Sequence, residues 1–412
     1  MTTNFITIFS ISLIMISAFV FQVSFIHLIL FGLVQIGIAL LVMQGQLMLQ
    51  ELNNFYLSSV SAFCLGLLSV YFYHRYKKIS NVIFENKFNK LNFGEKGLFR
   101  ATFIFSLFII FHYFVQGIPI LHRDFDIRRF MVASSGLLGI PSRISVYGPI
   151  VIMFFNISYY ISGWISRKKF IFISSLCLIF ILLSGHKSSF ISYIYIFICS
   201  YRLLKGKMKR NLPIIILLCL PLVFYSIYLQ FYYFSTLIKY DFTEYLIQRI
   251  TYISINPLIH IFYNQPALEL VSPYKFLHDL LYPFFKILDL DIVSINTQIS
   301  HSLYNIPYRD FTVPVTYTFV GYVKLEFGVY GGIIASFGFG IISALIYYLT
   351  QNQYTNIGRG AMISFEYLIL IGLTSGNLFY LLPNFLFVLI LFILLIAIFN
   401  HALIRTYKHI GC

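Results

Sequence analysis

"PNFLFVLILFILLIAIFN", residues 383–400, runs for eighteen positions without a charged side chain. That length matches a helix crossing the hydrocarbon layer of a bilayer, about 20 residues for ~30 Å. No polar face recurs at helical spacing, as it would on a helix covering a soluble core. In hydrocarbon every backbone N–H and C=O must be bonded within the protein, which leaves helices and closed barrels. Barrel strands alternate apolar and polar residues over about ten positions, and this chain has no such alternation. The stretch therefore predicts an all-α polytopic membrane protein.

Working outward, ten further apolar runs lie at roughly 4–22, 24–43, 55–73, 99–116, 147–165, 170–184, 189–202, 212–230, 328–349 and 361–378. With 383–400 they make about 11 transmembrane helices in a single integral membrane domain, residues 1–412. The pair 170–184 and 189–202 reads either as two full spans or as one broken pair. Composition agrees: 59% of the 412 residues are hydrophobic and only 10% are charged, against ~25% charged in soluble domains. The first run lacks a basic leader and an A-x-A site, so it reads as a retained helix rather than a signal peptide. Cys64, Cys177, Cys199 and Cys219 lie within apolar runs and Cys412 at the end, with no CxxC or Cys/His spacing. They read as small buried residues.

Charge sets the orientation. The segments 74–100, 167–169, 202–210, Arg359 and 401–412 hold eighteen of the 29 Lys/Arg, against Glu85 and Glu95 alone. By the positive-inside rule these segments are cytoplasmic. The remaining eleven Lys/Arg are matched by ten Asp/Glu on the other side. The net charge of +15 thus reports topology rather than nucleic-acid binding, since no soluble segment carries a basic stripe interleaved with aromatics. Eleven crossings place the N-terminus outside and the C-terminus inside.

Two segments then lie outside. The first, 117–146, is an arginine-rich loop holding Arg123, Arg128, Arg129 and Arg143. The second, 231–327, is long, and its mixed aromatic and aliphatic stretches suit interfacial helices forming a lid over a cavity. Arginine offers a permanently charged planar fork matched to phosphate, so a pyrophosphate headgroup is a fitting partner for this cluster with Arg249 and Arg309. The alternative is that Asp124 and Asp126 neutralise two arginines while the others meet lipid phosphates.

The chain resembles the O-antigen polymerases, integral membrane enzymes that join oligosaccharide repeat units on a polyprenyl carrier. The features that carry the resemblance are the span count with its large outer segment, and three short motifs. "RRFMVASSGLLG" fits the family's R-x10-G pattern from Arg128 to Gly139. "SGHKSSF", 184–190, resembles its basic turn after a mid-chain span, and "TVPVTYTFVGYVKLEFGVYGG", 312–332, its Pro and Gly-rich entry into a late span. Relatives often have Gly-Glu where this chain has Gly321-Tyr322, which leaves Glu326 as the nearby acid.

The resemblance implies a lipopolysaccharide-building glycosyltransferase of the bacterial inner membrane, with its active site facing the periplasm. It takes a growing glycan from undecaprenyl pyrophosphate onto a new lipid-linked repeat unit, with a chain-length regulator protein as a further partner, and needs no cofactor. The leaving pyrophosphate calls for cations: Arg123, Arg128, Arg129, Arg143, His186, Lys187, Arg249 and Arg309. The attacking hydroxyl calls for a base; Glu326, Asp310 and His301 lead, with His278 and His186 behind. Each has a plainer reading. Glu326 pairs with Lys324 or a nearby arginine, Asp310 orients Arg309, and His301 is a polar loop residue. The D-x-D at 289–291 reads more simply as the polar end of an amphipathic segment than as a metal site, and "GGIIASFGFG", 331–340, as small-residue helix packing. Two alternatives share much of this pattern: the related O-antigen ligase, and a flippase or transporter for the same lipid-linked sugar. Against the transporter, no internal repeat is visible.

Overall fold

The computed structural model describes residues 2–21, 24–44, 49–77, 94–121, 139–184, 188–204, 241, 255–264, 268, 274–288, 290, 292–304, 317–353 and 355–410. Among these residues every regular element is helical and there is no strand. The helices are α1 (Thr2–Val20), α2 (Phe25–Gln44), α3 (Gln50–Lys77), α4 (Glu95–Gln116), α5 (Gly139–Ile161), α6 (Arg167–Leu183) and α7 (Ser188–Leu204). They continue as α8 (residues 255–263), α9 (Lys275–Ile287), α10 (Ile295–Tyr304), α11 (Thr318–Gln351), α12 (Asn356–Ser375) and α13 (Leu378–Ile410). Six of them, α3, α4, α5, α11, α12 and α13, are long and apolar enough to cross a membrane. The protein is a multi-pass helical membrane protein.

The stretch 383–400 lies in α13 and has two faces of different fate. Phe385, Val388, Leu389, Phe392 and Ile396 are buried, whereas Phe387, Ile390, Leu394 and Ile398 are exposed. The exposed stripe is as apolar as the buried one, as expected of a helix whose outer side meets lipid rather than water. α4 repeats the pattern with Phe103, Ile110 and Phe114 outward.

α3 and α11 pack most broadly. Each lacks a side chain where the other's backbone comes closest: a Cβ on Gly340 would collide with the Phe63 carbonyl, and one on Gly66 with the Phe337 carbonyl. Close backbone approach through small residues is the usual means of joining helices in lipid, where burial gives little drive. Buried polar contacts fasten neighbouring helices. Ser10 and Ser61 hydroxyls meet at 2.8 Å, and the Tyr56 hydroxyl donates to the Leu33 carbonyl at 2.5 Å.

The bundle has two chemically distinct ends. At one, Lys169 Nζ pairs with Glu95 at 2.9 Å, the Ser158 hydroxyl donates to the Asn356 carbonyl at 2.6 Å, and Arg100 lies 5.8 Å from the Phe399 ring centroid. Trp164, in the turn between α5 and α6, is exposed at this basic end. At the other end lie the start of α5, the start of α11, the start of α13, and α9.

Three boundaries differ from the sequence reading. That reading puts Arg143 in an outer loop, 117–146, but α5 begins at Gly139 and carries it. Pro141 falls in the first turn of that helix, where its missing N–H breaks no bond. The outer segment is expected to reach 327, but α11 starts at Thr318 and is interrupted at Gly328, with φ 71° and ψ −164°. Only glycine takes that conformation without strain, so the residues ahead of it form a short separate helical piece. Arg202, assigned from sequence to a cytoplasmic loop, is in the last turn of α7. Its Nη2 bonds buried Glu366 of α12 at 2.8 Å, and the Tyr195 hydroxyl donates to the same carboxylate at 2.7 Å.

Candidate functional site

The site is built around α9, "KFLHDLLYPFFKI". Its amphipathicity is reversed relative to a helix in water. Leu281, Phe284 and Leu288, just past its end, are exposed, while His278 and Asp279 are buried. An apolar outer face with an acidic inner one suits a helix against lipid whose polar side closes a protected space. The rings of Phe276 on α9 and Phe379 on α13 pair at 5.7 Å between centroids and tie the two helices together.

Asp279 is 1% exposed. The backbone N–H of Ile295, the first residue of α10, donates to its carboxylate, an arrangement favoured at a helix N-terminus. Its Oδ1 has no hydrogen-bond partner among the described residues. Burial pushes the carboxyl up to about 7, against the lowering effect of the Ile295 N–H, and the nearby charge of Glu326 adds to the rise. Glu326 stands at the end of the short piece before Gly328. It accepts the backbone N–H groups of Lys275 and Phe276, the first residues of α9, and faces the Lys275 side chain.

Tyrosines surround the two carboxylates. Tyr322 stacks on Phe379 at 5.5 Å, and the Tyr317 hydroxyl donates to Asn377 Oδ1 at 3.1 Å. Thr318, next in chain, has φ 56°; a β-branched residue there is strained. Tyr282 and Tyr380 pair at 5.4 Å, and both lie within electrostatic reach of Asp279 on one side and Arg143 on the other. Arg143 Nε donates to Asn384 Oδ1 at 2.7 Å, which anchors the guanidinium through that nitrogen. The result is a cation and two carboxylates at one end of the bundle, separated by paired phenol rings.

Of the residues picked out in the sequence, the fold sets Arg143 near Tyr282 and Tyr380 and Glu326 near Asp279, and it buries His301 on α10 and His278 beside Asp279. Burial holds His278 below the usual imidazole range. Arg123, Arg128, Arg129, His186, Lys187, Arg249, Arg309 and Asp310 lie outside the described residues, as do Asp289 and Asp291. The pairing of Glu326 with Lys324 is not found. Residues two apart on a helix point to different sides, and the buried Lys324 ammonium lies 5.3 Å from the Phe262 ring centroid. Asp279 is the residue that sequence reasoning misses. A signal for it exists: three apolar residues at 281, 284 and 288 on the face opposite the acid. Among the described residues no His, Cys, Asp or Glu cluster could hold a metal ion.

The chain matches no family model, no curated protein and no solved structure.

Proposed function

We propose that the protein is an O-antigen polymerase of the bacterial inner membrane. It crosses the membrane eleven times, with its site at the periplasmic surface. The donor is a growing glycan on undecaprenyl pyrophosphate, and the acceptor is a single repeat unit on the same carrier. The observation that carries this reading is that Tyr282 and Tyr380 lie within electrostatic reach of both Arg143 and Asp279, with Glu326 next to Asp279, at the end of the bundle opposite the basic one. Transfer from a pyrophosphate needs a fixed cation where charge gathers on the leaving group. It also needs a carboxylate or imidazole near the attacking hydroxyl, and aromatic faces suit the sugar rings between them. The arginines at 123, 128 and 129 would supply further cations for the pyrophosphate, and a chain-length regulator would act on the assembled enzyme.

Deleting the gene and resolving surface polysaccharide on a gel tests this. The expected result is loss of the long-chain ladder with one capped repeat unit remaining. Complete loss of attached polysaccharide would point instead to a ligase or a flippase, and an unchanged ladder would remove the reading altogether.

A further inference from the structure

We propose that Asp279 takes the proton of the acceptor hydroxyl, while Glu326 is a positioning residue that holds α9 in place; this rests on the glycosyl-transfer reading above. Each carboxylate keeps one oxygen without a hydrogen-bond partner among the described residues, Asp279 Oδ1 and Glu326 Oε2. What differs is the company each keeps. Glu326 accepts two backbone N–H groups at the start of α9 and faces the Lys275 ammonium. Two backbone donors and a cation thus hold the Glu326 carboxylate at the start of α9, and losing it loosens the helix. Asp279 accepts one backbone N–H, from Ile295, and its charged neighbour is the like charge of Glu326. Tyr282, Tyr317, Tyr322 and Tyr380 lie within its electrostatic reach, and His278 precedes it on α9. A buried carboxylate oxygen with no cation beside it among the described residues has the basicity that proton removal requires. Burial of Asp279, reinforced by the Glu326 charge, raises its proton affinity into the working range.

The step balances without a co-reactant. The acceptor oxygen forms a bond to the donor's anomeric carbon. The bond from that carbon to the pyrophosphate oxygen breaks, and its electron pair leaves with undecaprenyl pyrophosphate beside Arg143. The hydroxyl proton passes to Asp279 Oδ1 and afterwards to water.

The test uses the full-length purified protein in lipid nanodiscs, with the lipid-linked repeat unit extracted from the deletion strain as probe. The wild type should build a ladder whose rate falls as the solution is acidified. Asp279→Asn, folded by size exclusion and thermal melting, should be slower by ~10²–10⁴-fold. Glu326→Gln should keep measurable activity, with its acid limb displaced to lower pH because a like charge beside Asp279 has gone. A folded Asp279→Asn enzyme of near wild-type rate overturns the assignment and leaves polymerisation standing. Should that variant misfold, the wild-type profile decides: an acid limb that Glu326→Gln moves supports the assignment, and its absence overturns it. No ladder from the wild type would take down the glycosyl-transfer reading and this assignment with it.

Discussion

Asp279 is ionised only at a cost, and the cost has a sign. Its folded-state value of about 7 lies above the ordinary 3.8, so between those values the native state binds more protons than the unfolded chain. The stability it contributes is full below the ordinary carboxylate value and is lost as pH rises through about 7. Asp279→Asn keeps the acceptor for the Ile295 N–H and removes the charge. Thermal unfolding in detergent should show this variant melting above wild type at pH 8 and close to it at pH 5; a lower melting point at pH 8 would mean the charge is structurally paired. Arg143 is tested by shape. Its Nε is spent on Asn384, and lysine cannot hold that contact and present a fork to phosphate together. On the proposed function, Arg143→Lys at normal protein level should lose ~10²–10³-fold in polymerisation rate, read from ladder formation against time. These charges differ in how plainly the sequence shows them. Arg143 and Glu326 are conspicuous in apolar surroundings, whereas an aspartate on an amphipathic segment reads as a solvent face until the fold turns that face inward.

The interruption in α11 decides where Glu326 goes. Gly328 has φ 71°, and a Cβ added there would meet nothing within 4 Å, so Gly328→Ala causes no clash and acts through the backbone alone. It should cost about 1–3 kcal/mol, seen as a lower melting temperature, and the straightened helix should carry Glu326 away from the start of α9. Faster proteolysis at α9 would report that release, and an unchanged digestion pattern would count against it. The helices themselves are largely legible from sequence, because runs such as 383–400 can be nothing else. Their ends are less so. α3, α5 and α11 continue past their apolar runs through "QELNN", "GIPSR" and "TFVGYVKLE", turns assigned from sequence to loops but largely buried by neighbouring helices, Gln50 and Glu51 apart.

For the molecule as a whole, the buried pair of Arg202 and Glu366 joins α7 to α12 across long sequence distance. The sequence shows Glu366 as an isolated intramembrane acid, and its partner is hidden among the basic residues at 202–210. Glu366→Gln should strand the guanidinium and destabilise the protein by ~3–5 kcal/mol, whereas Glu366→Gln with Arg202→Met should recover most of that loss; equal melting points for the single and double variants would deny the coupling. The far end of the bundle carries its own reporter. The chain has one tryptophan, and Trp164 sits exposed beside Arg167, Lys168 and Lys169. All indole fluorescence therefore comes from a single depth and a single side. With the basic end facing the cytoplasm, as the positive-inside rule expects, added iodide should leave that emission undimmed in sealed right-side-out vesicles and quench it in inverted ones. Light from one ring thus tells which way the protein faces in the membrane without any label being attached.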